Sequence, residues 1–252
     1  MAMKTICLSN FKGGVGKSTA VINLAYHLAD LGRRVLMMDL DYSGSLTLAA
    51  DRERSGRSIA EVIGGVNPGR LQLHEILVDL GGGITLAPGD IALTATEAKL
   101  ISRWAREDII KKILAGVASD FDVCLIDTSP ALGILTLNAL NAADGVITPV
   151  LPTALDLRGL RLFLDALEEI REGLNPRLQL LGVLICQYDS RINLHNDAVE
   201  EIRRSRLPVF ETMISKSVKI AQAAGAGEPA RGVYYDQFRQ IAEEIEKWLK
   251  AR

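Results

Sequence analysis

The sequence predicts a doubly wound α/β fold, a mostly parallel sheet with helices on both faces, and three observations carry that expectation. Short, continuously apolar runs at residues 5–8, 35–39, 123–127, 145–150 and 180–186 have strand length and lack polar alternation, the pattern of strands covered on both sides. Longer segments at 17–31, 106–118, 134–142, 157–172 and 195–204 place apolar residues at helical spacing. The two kinds of segment alternate along the chain, as β-α-β units require.

Taken in order, the run at 5–8 enters a Lys/Gly-rich loop and then the first helix, and the run at 35–39 ends in acidic residues. Residues 51–89 are richer in glycine, charge and turn signals, with a helical pattern at 58–63 and a strand at 84–88. They read as an elaboration of the same domain. No Pro/Ser/Gly linker or repeat divides the chain, so residues 1–252 are expected to form one domain. At the end, Phe238, Ile241, Ile245, Trp248 and Leu249 share a helical face, with Glu243, Glu244 and Glu246 off it. That is a helix docked on the core; a membrane-surface helix would show Lys and Arg instead.

Bulk properties exclude some functions. A net charge of −2 and a pI near 6.0 provide no global positive field, so nucleic-acid binding would need a local basic patch. No stretch approaches membrane-spanning length, and the apolar run before the first loop is too short for a secretory signal, so a soluble cytoplasmic protein is expected. Cys7, Cys124 and Cys186 sit inside apolar runs without CxxC spacing, which makes them core thiols rather than metal or redox pairs.

The strongest motif is Lys12-Gly13-Gly14-Val15-Gly16-Lys17-Ser18-Thr19 between a strand and a helix. The pattern G-x-x-x-x-G-K-[ST] fails only at its first glycine, where Phe11 stands. Glycines let backbone N–H groups converge on phosphate oxygens, and the helix adds its positive end. Lys17 would neutralise the β- and γ-phosphates of ATP, and the Ser18 hydroxyl would ligate Mg2+. A mere glycine turn does not call for Lys then Ser. Asp39, Asp41 and Asp127 fall at strand ends, where open α/β sheets form their ligand crevice. Alone, each could be a turn former; beside this loop, Asp127 is the candidate for acting on Mg2+ directly or through water.

These residues resemble the deviant Walker A ATPases of the ParA/MinD group, and within it the short ParA (Soj-like) partition proteins. The resemblance rests on KGGVGKST at 12–19, VLMMDLD at 35–41, FDVCLIDTSP at 121–130 and LTLNALNAAD at 135–144, and covers nearly the whole chain. It implies that Lys12 crosses a dimer interface to the partner's nucleotide. It also implies that Asp41 positions the attacking water, and that Asp39 lies near the metal. By position, Gln187 and Ser215 become the base contacts. Tyr42-Ser43 replaces the family's usual Pro-Gln pair, Ser129 replaces the first proline after the Asp127 strand, and Ser215 stands where many members have proline.

The resemblance further implies an ATP-dependent homodimer, non-specific binding of double-stranded DNA, a ParB-like or other cargo adaptor, and association with the nucleoid. The P-loop begins at residue 12, which leaves no room for the N-terminal helix-turn-helix domain of long family members. DNA contacts are expected from Lys216 and Lys219 with Arg203, Arg204 and Arg206. Three rivals remain: a MinD-like membrane-associated ATPase, opposed by the acidic tail; an iron-protein-like electron-transfer reductase, whose cluster cysteines would have to emerge from loops; and an inactive nucleotide-binding adaptor.

Overall fold

The computed structural model describes residues 2–50, 56–64, 71–217 and 232–251. Its seven strands are β1 (Lys4–Leu8), β2 (Val35–Leu40), β3 (Val78–Gly81), β4 (Ile84–Ala87), β5 (Val123–Thr128), β6 (Gly145–Val150) and β7 (Gln179–Ile185). They lie in the order β3-β4-β2-β5-β1-β6-β7, all parallel except β3 against β4. The helices described are α1 (Lys17–Asp30), α2 (Ser45–Ala50), α3 (Ile59–Gly64), α4 (Ala92–Leu100), α5 (Ile109–Ala115), α6 (Ile134–Ala142), α7 (Ala154–Gly173), α8 (Asn193–Arg204) and α9 (Val233–Lys250).

The strand period of two divides the core. Leu36, Met38 and Leu40 of β2, Cys7 of β1, and Cys124 and Ile126 of β5 face one layer with α3 to α7. Val35 and Met37, Ile6 and Leu8, and Val123 and Leu125 face the other, with α1 and α9. Both faces are therefore covered, as the unbroken apolar runs require. All three cysteines are buried, and burial raises their thiol pKa values, Cys186 to about 12.

Differences from the sequence reading have local causes. The segment expected to be one helix at 106–118 is a 3-10 turn, Arg106–Asp108, followed by α5, because Ala105 enters it with a left-handed φ of 50°. Strand β3 went unseen because its burial alternates between half-buried and exposed, without an apolar run. Helix α7 begins three residues early, at Ala154, because the Thr153 side chain accepts from the Asp156 N–H and caps it. On α9, Phe238, Ile241, Ile245 and Leu249 are buried and Trp248 is half-buried, but Glu246 is buried too. Its carboxylate is held by Arg33 at 2.6 Å and Lys250 at 3.1 Å.

Candidate functional site

Strand β1 lies at the switch point of the sheet, between β5 and β6, and its carboxyl end feeds the glycine loop. Asn10 shapes the loop entry: its Nδ2 donates to the Pro149 carbonyl at 2.7 Å, and its Oδ1 accepts from the Lys12 N–H at 3.0 Å. Gly14 and Gly16 adopt φ of 74° and 100°, backbone that side chains resist, and α1 starts as the Ala20 N–H bonds to the Gly16 carbonyl. Phe11, at the position of the missing glycine, packs edge-on against Phe163 of α7 with ring centroids 5.2 Å apart. Lys17 is buried and folds back over the loop, donating to the Lys12 carbonyl at 3.2 Å and the Asn10 carbonyl at 3.4 Å. Burial lowers its pKa while Asp127 and Asp41 raise it.

Asp39 and Asp127 are register partners on adjacent strands, and Asp127 also pairs with Leu8 just before the loop. Both are fully buried. Asp39 is committed: Oδ2 accepts from the Thr47 N–H (2.9 Å) and hydroxyl (2.7 Å), and Oδ1 accepts from the Asp41 N–H (3.1 Å). Burial outweighs these bonds and raises its pKa to about 6. Neither oxygen of Asp127 completes a hydrogen bond. Burial, then the Asp39 charge, push its pKa well above the carboxylate range; the Ser18 hydroxyl, near enough to draw it down as a donor though short of good hydrogen-bond geometry, and the Lys17 charge lower it. Asp39, expected near the metal, lies beside Asp127 with its oxygens taken by protein donors, whereas those of Asp127 are not.

Asp41 opens a tight turn into α2. Its Oδ1 accepts from the Ser43 N–H and its carbonyl from the Gly44 N–H, both at 2.9 Å. Across from it, Gly89 comes so near the Asp39 carbonyl that a Cβ would sit 2.3 Å from the oxygen. Among the described residues no three His, Cys, Asp or Glu side chains gather as a metal cluster. A divalent ion here would draw on Ser18 and Asp127, with water and phosphate completing its shell, which is the habit of Mg2+.

Two pockets flank the loop. One, of about 580 Å³, lies between the start of α1 and α2 and is lined by Gly14, Lys17, Ser18, Thr19, Ser45 and Leu48 among others. The other, of about 340 Å³ and mostly apolar, is lined by Val15, Gly16, Thr19, Gln187, Ser215 and Phe238 among others. Gln187 sits in left-handed backbone (φ 55°) and donates to the Gly14 carbonyl at 3.2 Å. The Ser215 N–H and hydroxyl are engaged by Gln237 at 3.1 and 2.8 Å. The structure thus brings the loop, Asp39, Asp41, Asp127, Gln187 and Ser215 to one edge of the sheet.

The residues expected to contact DNA lie on the chain around the 208–216 segment. Lys216 is exposed at the rim of the smaller pocket. Arg203, Arg204 and Arg206 are exposed at the other end of the 208–216 segment, Arg204 paired with Glu200 and Arg206 at φ 61°. Val209 stands beside Val183 and Ser215 beside Tyr188. The segment after the arginines thus runs alongside β7 toward Lys216. Lys219 lies outside the described residues. Sequence reasoning missed Asn10, Thr47 and Asp156, a buried acid on α7 whose Oδ2 lies 2.7 Å from Lys12 Nζ. Thr153 and Asp156 fit the spacing of a capping box, a signal legible in the sequence.

A family model described as an AAA domain matches residues 3–180. The chromosome-partitioning ATPase Soj of Thermus thermophilus is 36% identical over 96% of this chain and 95% of its own length. The chromosome partitioning protein ParA of Myxococcus xanthus is 34% identical over 92% of this chain and 82% of its own. A solved structure of cobyrinic acid a,c-diamide synthase from Mycobacterium smegmatis with an ATP analogue and magnesium is 34% identical, covers 99% of this chain and 97% of that one, and superposes with a TM-score of 0.87.

Proposed function

Since this chain belongs to the ParA/Soj family of P-loop ATPases, we propose that it binds ATP with Mg2+, pairs with a second copy in the ATP state, and hydrolyses ATP slowly to position DNA or other cargo with a ParB-like partner. The observation that carries the reading is the Asp127 carboxylate, buried with two unpartnered oxygens at the strand end that meets the phosphate loop. Bound there, Mg2+ would supply neutralisation of phosphate charge. Ser18 and Asp127 would hold it. The loop amides of Gly13 to Thr19 and Lys17 would hold the phosphates in the larger pocket, and the apolar pocket beside Gln187 and Ser215 suits a base. Asp41, fixed by the turn that Asp39 anchors, would orient the attacking water; orientation counts for more than proton removal in loose phosphoryl transfer. Lys12 would act on the nucleotide of the second copy. Residues 1–252 are read as one ATPase domain, cytoplasmic and nucleoid-associated when ATP-bound.

The test is ATP turnover and nucleotide binding by purified variants. Lys17→Ala should weaken nucleotide binding by about a hundredfold, the loss of a buried charge contact. Asp41→Ala should bind ATP but not cleave it, and Lys12→Ala should bind it and remain monomeric. Turnover at the parent rate in Asp41→Ala would remove its assigned role. DNA binding should require ATP and weaken steeply with salt, since a dimer would double the basic residues facing the phosphates.

An amide-forming ATPase, the activity named for the Mycobacterium smegmatis protein, would use the same phosphate site. Glutamine as its nitrogen donor would require a reactive thiolate, and all three cysteines here are buried with raised thiol pKa values. The same burial opposes an iron–sulfur reading, for which a brown purified protein would be the sign. No described helix is long and apolar enough to cross a membrane.

A further inference from the structure

The two residues that open this phosphate loop reach the same helix: Phe11 packs on Phe163, and Lys12 Nζ pairs with Asp156 Oδ2 at 2.7 Å, both partners being on α7. The ion pair is lopsided. The Lys12 side chain is 38% exposed, whereas that of Asp156 is 1% exposed. Asp156 Oδ2 also accepts the Thr153 hydroxyl, and Oδ1 is buried without a hydrogen-bond partner. Lys12 is the cation paired with this carboxylate, and a buried charge whose partner departs carries a heavy penalty.

The geometry points to Asp156 as a positioning residue that holds Lys12 on its own chain and so sets how readily ATP drives dimerisation. The inference rests on the trans role proposed for Lys12. When Lys12 swings toward the nucleotide of a second copy, Asp156 is left buried with one donor, from Thr153, and an unpartnered oxygen. The assembly must overcome that cost, so the latch favours the monomer until nucleotide binding outweighs it.

Asp156→Asn keeps the shape of the side chain and an acceptor for Thr153 while removing the charge. With a non-hydrolysable ATP analogue, sedimentation should show the variant dimerising at about one-tenth of the protein concentration the parent needs, a conservative share of the penalty for an unpaired buried charge. An unchanged or higher midpoint would overturn the inference. A thermal-unfolding cycle on the nucleotide-free chain separates the latch from a merely structural role. With Lys12 present, Asp156→Asn should lower Tm; in a Lys12→Gln background the same change should raise it, because a neutral amide is then better buried than an unpaired carboxylate. A change of the same sign in both backgrounds would equally overturn it. If neither parent nor variant dimerises while nucleotide is demonstrably bound, the proposed dimerisation fails and the regulatory inference falls with it, leaving the thermal cycle to judge the ion pair by itself.

Discussion

Two aspartates stand side by side in register at the ends of β2 and β5, both fully buried, yet their surroundings are opposite. Asp39 is surrounded by donors: the Thr47 amide and hydroxyl and the Asp41 amide, with the Thr47 hydroxyl in turn accepting from the Gly89 N–H at 2.9 Å. Asp127 has no hydrogen bond to either oxygen. The first carboxylate is spent inside the protein, folding the turn that carries Asp41 into α2. The second is held in reserve for something from outside. Burial alone does not tell a structural acid from a binding one; the ledger of hydrogen-bond partners does.

Substitutions at the pair should therefore act with opposite sign. The largest effect belongs to Asp39→Ala, which strands three donors in the core and should cost about 3–5 kcal/mol of stability, read from denaturant unfolding. A cost below about 1 kcal/mol would mean that the turn holds itself together without Asp39. Asp127→Asn should instead stabilise the nucleotide-free chain by about 1–3 kcal/mol, because a neutral amide is cheaper to bury than an uncompensated charge, while abolishing Mg2+-dependent turnover.

The gain should depend on pH. From the ordinary value of 3.8, burial moves the Asp39 carboxyl up to about 6, and it raises that of Asp127 as well. Between those values the folded chain binds more protons than the unfolded one, so these groups erode stability as pH rises through the window. The stabilisation by Asp127→Asn should accordingly be full above the raised Asp127 pKa and shrink as pH falls through it and the parent takes up its proton. A pH-independent gain would break the comparison. The smallest effect is expected of Thr47→Val, which removes the shared hydroxyl but keeps the amide donor, for about 1–2 kcal/mol. If it also slows ATP turnover with nucleotide affinity intact, the link from Asp39 through the turn to Asp41 is sharpened into a functional one.

The phosphate loop and strand ends were legible because their chemistry is local: glycines at positive φ, a lysine and serine opening a helix, and acids closing apolar runs all occupy adjacent positions in the chain. The parallel sheet was legible because strands covered on both faces carry apolar runs without alternation, as residues 6–8 of β1, 35–38 of β2, 123–126 of β5 and 145–147 of β6 do. The hairpin strand β3 escaped because an edge strand wears polar residues on its open face. The sequence by itself thus determined the fold class, the family, and the phosphate loop with the acids at the strand ends beside it. Only the tertiary structure decided which of two like aspartates is satisfied and that Lys12 is held by Asp156, 144 positions away. Partnership of that kind depends on which strands become neighbours and in what register, and residues distant in the chain carry no local pattern that records it.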